Sequence, residues 1–387
     1  MKIHFYGVQG SGSVFPSRKE RLAMQEMMDL RLLEQIFMDI TERSGPKGQV
    51  AVKEILGGDV NRHTLVSYRK RFEIEDLRVY GGWTTCIRIE TEDGYDIVFD
   101  LGSGFRNCAL DLQAKWGNSE KRNLFIFGSH SHFDHTEGFD QAVVCFDPRN
   151  QIHVYGNRQY LRAIDQNLGV FSHQVDAALL GVQTPLHYEL MPAQFESCEI
   201  RDFSHSPPPE NGEDRLVHTY HNMEVPVRIG SAAITAFEVF HPAPCLAYKI
   251  ECGGQVFIFC TDHELRHGSQ PGDPRDRASF EAEERLKEHA HGADVLYRDG
   301  QFFRVEYDGY QGIGASGGVP RVDWGHSCIE DVFDMAEECG VKSTYIGHHD
   351  PNRDWSERNW IDETFKRKSD QTGLRFELAR AETVIEL

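Results

Sequence analysis

The sequence predicts an α/β protein whose buried strands end in chemically loaded residues. Short apolar runs stop abruptly at glycine, aspartate or histidine, amphipathic helical patterns lie between them, and four potential metal ligands crowd into residues 130–135. Runs of this length, bounded by Gly and Asp, read as buried strands.

Taken in order, Met1-Lys-Ile-His-Phe-Tyr-Gly reads as a first strand. Residues 18–72 then carry a long helical pattern through Leu22, Met27, Leu30, Leu33, Ile36, Phe37 and Ile40, a Gly45-Pro46 break, and a second helix near 62–72. By position, 18–78 is a helical insertion within one domain spanning 1–387. Its apolar stripe packs either on its own protein or as a dimer face or lid. Ile97-Val-Phe stops at Asp100-Leu-Gly-Ser-Gly, Leu124-Phe-Ile-Phe at Gly-Ser-His-Ser-His, and Val256-Phe-Ile-Phe at Cys-Thr-Asp-His. Val295-Leu-Tyr stops at Arg-Asp-Gly, and Thr344-Tyr-Ile at Gly-His-His-Asp. A helix is expected over 280–290. Another starts at Ser327, where Ser327 and Glu330 match a capping box and Ile329, Val332, Phe333 and Ala336 share a face; Gly340 stops it. Three Gly/Pro-rich stretches, 206–214, 268–274 and 309–318, read as loops.

The chain has 387 residues, 40% of them apolar, which is ample for a large core. Its net charge of −20 argues against a polyanion partner. Arg62, Arg69, Lys70 and Arg71 form a local basic cluster, read either as a solvated helix face or as a patch. Nine cysteines without a C-x-x-C pair suit neither a zinc ribbon nor a disulfide framework, and free thiols suit a reducing cytosol. With no signal-peptide core and no bilayer-length apolar run, the expectation is a soluble, cytoplasmic protein without a membrane partner.

The chemistry concentrates in His130-Ser-His132-Phe-Asp134-His135. Two histidines two apart at a strand end can converge on one ion, while Asp134 and His135 face a second. Imidazole nitrogen and carboxylate oxygen suit borderline cations such as Zn²⁺. No Walker sequence, dinucleotide fingerprint or G-x-S-x-G elbow competes.

This H-x-H-x-D-H pattern resembles the signature of metallo-β-lactamase-fold hydrolases, and more narrowly the branch of ribonuclease Z and cyclic-nucleotide or cyclic-phosphate phosphodiesterases. Five further blocks match in order: Gly7-Val-Gln-Gly-Ser-Gly, Asp100-Leu-Gly-Ser-Gly, Phe240-His241 through Tyr248, Thr261-Asp262, and Trp324-Gly-His326-Ser with its helix and Gly-His348-His349-Asp-Pro. The resemblance spans the chain apart from 18–78. It implies a four-layer αβ/βα sandwich and two divalent ions, Zn first, with Mn or Fe as alternatives. His130, His132 and His241 would bind one ion and Asp134, His135 and His348 the other, with Asp262 bridging. His348 is preferred to His349 because it directly follows the strand and glycine.

The resemblance further implies a phosphodiesterase in which a metal-bridging hydroxide attacks phosphorus. Asp134 and His326 are the expected catalytic residues. His326 would contact the phosphate and assist the leaving alcohol, or else be a histidine that caps the Ser327 helix or supports the ligands from behind. Asp100 and Ser129, and less directly Asp299, would support the histidine loop. His263 and His349 are outer groups or passive neighbours. A tRNA 3′-processing endoribonuclease would need a basic exosite, whereas Glu196, Glu199, Asp202, Glu210, Glu213, Asp214 and Glu224 make that region acidic. A small phosphodiester substrate is therefore expected, and nucleic acid is disfavoured. Lactone, thioester or sulfate-ester hydrolysis and a non-catalytic sensor are the alternatives. A homodimer is expected, as relatives often form one.

Overall fold

The computed structural model describes residues 1–12, 18–43, 52–71, 82–117, 119, 122–175, 185–209, 214–267, 272–310 and 318–387. The chain divides into two compact units, residues 15–79 and the remainder (1–14 with 80–387).

In the larger unit the strands are β1 (Lys2–Gly7), β2 (Cys86–Glu90), β3 (Asp96–Phe99), β4 (Asn123–Phe127), β5 (Gln151–Gly156), β6 (Gln194–Arg201), β7 (Thr219–Asn222), β8 (Val227–Ile229), β9 (Ala232–Val239), β10 (Cys245–Cys252), β11 (Gln255–Cys260), β12 (Val295–Asp299), β13 (Ser343–Gly347), β14 (Arg375–Leu378) and β15 (Val384–Glu386). They form two sheets, ordered β15-β1-β2-β3-β4-β5-β6-β7 and β14-β13-β12-β11-β10-β9-β8. Each sheet is antiparallel on one side and parallel on the other: β3 to β7 run parallel, as do β11 to β14.

Period-two alternation assigns the faces. Ile97 and Phe99 of β3 join Phe257 and Phe259 of β11 in a core shared by both sheets. Val98, Leu124 and Ile126 point the other way, onto α4 (Phe105–Trp116) and α5 (Arg158–Leu168). Ile258, Cys260 and Leu296 face α6 (Pro274–Ala290), α8 (Ile329–Cys339) and α9 (Trp355–Thr372), with the short α7 (Arg304–Tyr307) between α6 and α8 in the chain. The order helix, sheet, sheet, helix is the four-layer αβ/βα sandwich that the resemblance implies. Parallel strands carry their carboxyl ends to one edge. The loops that follow β3, β4, β11, β12 and β13 therefore gather there.

Two details differ from expectation. The Ser327 capping box does not form: α8 starts at Ile329 with Cys328 at its N-cap and no side-chain cap. Ser327 Oγ instead donates to the His263 carbonyl and accepts from Arg298, and Glu330 accepts from the Arg304 amide. The helix before β12 begins at Pro274, capped by Asp273, rather than near 280. Gly340 does end α8, in the left-handed conformation.

The smaller unit contains α1 (Arg18–Arg43), α2 (Val52–Leu56) and α3 (Arg62–Arg71). Its core joins Ile55, Leu56 and Tyr68 to Leu32, Ile36 and Ile40. Leu30, Leu33 and Phe37 do not belong to that face; they are 60%, 62% and 70% exposed. Arg69 and Arg71 of the basic cluster lie 3.9 Å and 4.0 Å from Asp29 and Asp39, so part of their charge is neutralised locally. The Gly45-Pro46 break and the core of each predicted loop (210–213, 268–271 and 311–317) lie outside the described residues. All nine cysteines are buried and free of disulfides. Among the described residues, no helix is long and apolar enough to cross a membrane.

Candidate metal centre

Four of the candidate ligands leave β4 together. After Phe127 the chain runs through Gly128 and Ser129 to His130 and His132, and a single 3₁₀ turn, Phe133–His135, presents Asp134 and His135. Asp262 follows β11, His348 follows β13, and His241 lies just past β9. Donor atoms of His130, His132, His241 and Asp262 lie within 4.8 Å of one another, as do those of Asp134, His135 and His348. All seven predicted ligands thus converge on one edge of the sandwich.

Asp262 stands between the two groups. Its Oδ2 is 3.5 Å from His130 Nε2, while Oδ1 is 3.3 Å from His135 Nε2 and 3.2 Å from His348 Nε2. His132 Nδ1 and His241 Nε2 approach to 3.2 Å. His348 Nε2 and His135 Nε2 lie 3.3 Å and 3.5 Å from Asp134 Oδ2.

The surrounding hydrogen bonds aim the donors inward. Asp100 accepts from the Ser129 amide, from Ser129 Oγ and from His135 Nδ1, each at 2.7 Å. Because the Ser129 hydroxyl is committed to Asp100, His130 Nδ1 must donate to its oxygen at 3.0 Å. His241 Nδ1 donates to the Gly325 carbonyl at 3.0 Å. In all three rings Nδ1 carries a proton to its partner, which turns Nε2 to face the centre.

Those atoms fit a divalent metal. The Nε2 atoms of His130 and His135 are buried and make no hydrogen bond. An unsatisfied buried polar atom costs about 1–3 kcal/mol, and two of them facing a carboxylate indicate a Lewis-acid site. The mixed nitrogen and oxygen donor set suits Zn, Mn or Fe and does not choose among them. The carboxylates also set a negative field that favours positive charge at the centre. Burial opposes charge on His135, yet Asp262, Asp134 and Asp100 outweigh it and hold its pKa well above the usual value. Burial and the His135 charge push His130 well down. Burial disfavours ionised Asp262, but His348, His135 and His130 keep it well below the carboxylate range.

Local backbone explains several residues around the ligands. Asp100 and His348 adopt φ of 58° and 54°, left-handed for non-glycine residues. At His348 this turns consecutive histidines apart: its Nε2 faces the centre while His349 Nε2 donates to the Ala379 carbonyl at 2.7 Å. Gly325 has φ of 87°, and a Cβ there would lie 2.0 Å from His241 Nδ1. Gly10 packs behind His348, where a Cβ would lie 2.7 Å from Nδ1.

His326 lies against the centre, its ring stacked on His348 at 4.7 Å. Its Nδ1 is 3.2 Å from Asp299 Oδ2, which also accepts from the Ser327 amide. Burial opposes charge on His326, but Asp299 and Asp262 raise its pKa. His326 is therefore not a helix cap. His263 is an outer group: Nδ1 accepts from the Phe240 amide, and Nε2 donates to Glu283 at 2.8 Å.

Two supports carried no sequence signal. Glu264, fully buried, accepts from Tyr307 Oη and from the Asp323 and Gly325 amides, and so fixes the turn that delivers His326. Glu283 pairs with Arg298, whose Nη2 lies 2.7 Å away and also donates to Ser327. Each partner is remote in sequence; only the position of Arg298 and Asp299 at a strand end hinted at a role. Outside the centre, His267, Cys328 and Asp331 also lie close together. There Arg304 pairs with Asp331, and its positive charge disfavours a cation.

No known protein family matches the chain by sequence profile, and no curated protein matches it by sequence. Solved structures similar to it include a diphosphatase of the PhnP family, 14% identical, with a TM-score of 0.47 and coverage of 100% of this chain and 97% of the other. The short form of human tRNase Z is 14% identical with a TM-score of 0.47, covering 100% and 99%. Zn²⁺-bound PqqB from Methylobacterium extorquens is 11% identical with a TM-score of 0.48, covering 100% of both chains.

Proposed function

We propose that the chain is a metal-dependent hydrolase of a small phosphodiester, with two divalent cations held by His130, His132, Asp134, His135, His241, Asp262 and His348. The observation that carries this reading is Asp262, whose two oxygens face two separate groups of histidine and aspartate donors. When bound, such a pair of cations supplies Lewis acidity, lowering the pKa of water and neutralising charge on phosphoryl oxygens.

The chain's own residues supply orientation and proton handling. Asp100 and Ser129 lock the ring positions of His135 and His130. Asp299 holds Nδ1 of His326, which leaves Nε2 for a phosphoryl oxygen or the departing alcohol. Asp134, buried in the second donor group, serves as a ligand in this reading rather than as a proton carrier. A net charge of −20 favours a small substrate over a nucleic acid.

The test is hydrolysis of bis(p-nitrophenyl) phosphate, a lactone and a thioester by zinc- and manganese-loaded protein, with Asp262→Ala as control. Diester turnover that disappears in the variant supports the reading. Turnover confined to the lactone or thioester refutes it.

A further inference from the structure

Of the seven candidate ligands, His132 alone is exposed; His130, Asp134, His135, His241, Asp262 and His348 are buried. The centre therefore opens to solvent at His132, where that ring meets His241. Two aromatic side chains flank this opening. Phe133 follows His132 in the 3₁₀ turn after β4 and is 73% exposed. Trp324 comes from the other sheet's side, ahead of α8, and is 49% exposed. It precedes Gly325, whose carbonyl accepts from His241 Nδ1 at 3.0 Å. Phe133, His132, His241, Gly325 and Trp324 thus form one row, joined by chain or by contact, with an aromatic residue at each end.

A single exposed aromatic residue needs no explanation. What sets Trp324 apart is the buried structure that holds it out. The residues on either side of it are both left-handed, Asp323 at φ 68° and Gly325 at φ 87°. Their amides donate to the two oxygens of buried Glu264, at 2.9 Å and 2.8 Å. The guanidinium of buried Arg321 lies 4.3 Å over the indole, and Phe302 meets it edge-on at 6.3 Å. Phe302 also lies 6.1 Å from the His326 ring. A left-handed non-glycine residue, a buried carboxylate and a buried arginine are thus spent on fixing a side chain that stays half in solvent. Strain of this kind collects at functional sites. Arg321 covers the indole on one side, which leaves it a preset apolar surface for a ligand.

We propose that Phe133 and Trp324 are specificity-determining residues, an aromatic rim that selects esters carrying an aryl or similarly flat apolar group beside the reacting phosphoryl. A substrate entering at His132 passes between the two rings. Neither ring bonds an anion, so the rim adds affinity for the organic group and none for the phosphoryl itself. The inference rests on the phosphodiesterase reading and adds to it a preference for apolar esters over those with small alkyl groups.

The experiment is calorimetric titration of zinc-loaded protein with phenylphosphonate and with methylphosphonate, in wild type and in Phe133→Ala, Trp324→Ala and Trp324→Phe. Both probes offer the same anion, and only one carries a ring. The expected result is a wild-type preference for the phenyl probe that falls about 3–10-fold in each alanine variant. Trp324→Phe keeps an aromatic face and should retain more of the preference than Trp324→Ala. It also guards against collapse of the turn, as does Phe133→Ala, which removes an exposed side chain. Equal loss of affinity for both probes, or a preference unchanged in every variant, overturns the rim. Turnover of bis(p-nitrophenyl) phosphate by wild-type protein that shows no preference for the phenyl probe overturns the rim and leaves the phosphodiesterase reading standing. Binding of neither probe, together with no diester turnover, overturns both.

Discussion

Replacing Asp100 by Asn isolates the support beneath the candidate metal ligands. Asparagine tolerates the left-handed backbone that Asp100 adopts at φ 58°, so the substitution changes hydrogen bonding rather than fold. The carboxylate accepts three bonds of 2.7 Å, two from Ser129 and one from His135 Nδ1. An amide retains one acceptor oxygen and turns two N–H donors toward the remaining donors. One bond to an ionised group, about 1.5–3 kcal/mol, is lost outright. The conflict is relieved if His135 moves its proton to Nε2, which removes the lone pair that faces Asp262. Metal affinity should therefore fall about 10–100-fold, or about 1.4–2.8 kcal/mol at 1.4 kcal/mol per tenfold. Competitive titration against a chromophoric chelator measures this, with circular dichroism to verify folding. Affinity within twofold of wild type in a folded Asp100→Asn protein would refute the proposed role of the carboxylate.

Other substitutions separate the remaining roles. His326→Ala should lower kcat by about 10²–10⁴-fold while metal content by mass spectrometry stays constant; loss of metal along with activity would make His326 a ligand instead. Gly325→Ala should displace His241, since the added Cβ would sit 2.0 Å from Nδ1 at a φ of 87°; a lower metal stoichiometry is the expected readout. Arg298→Met leaves Glu283 buried without its ion partner, and urea unfolding should show a loss of about 3–5 kcal/mol.

The convergence of the candidate ligands was legible because each of them follows a strand, and strands announce themselves as apolar runs that stop. His348 was separable from His349 on the same ground, and the left-handed turn at His348 is the physical reason one ring faces in and the other out. The capping box at Ser327 misled because local spacing says nothing of distant competitors: Arg298 and the His263 carbonyl claim the hydroxyl first. Glu264 and Glu283 were invisible for a related reason. A lone glutamate in sequence carries no sign that Tyr307, Gly325 or Arg298 will fold against it. The stripe on α1 was read as one face, yet Leu32, Ile36 and Ile40 point inward while Leu30, Leu33 and Phe37 remain exposed. Periodicity finds an amphipathic helix more readily than it counts its faces.

The most direct measurement is the rate of bis(p-nitrophenyl) phosphate hydrolysis as Zn²⁺ or Mn²⁺ is titrated into chelator-treated protein. Seven candidate ligands in two groups, with Asp262 between them, predict a rate that climbs to a plateau at two equivalents and is abolished in Asp262→Ala. A plateau at one equivalent would contradict the paired centre, and no turnover at any metal load would contradict the phosphodiesterase itself.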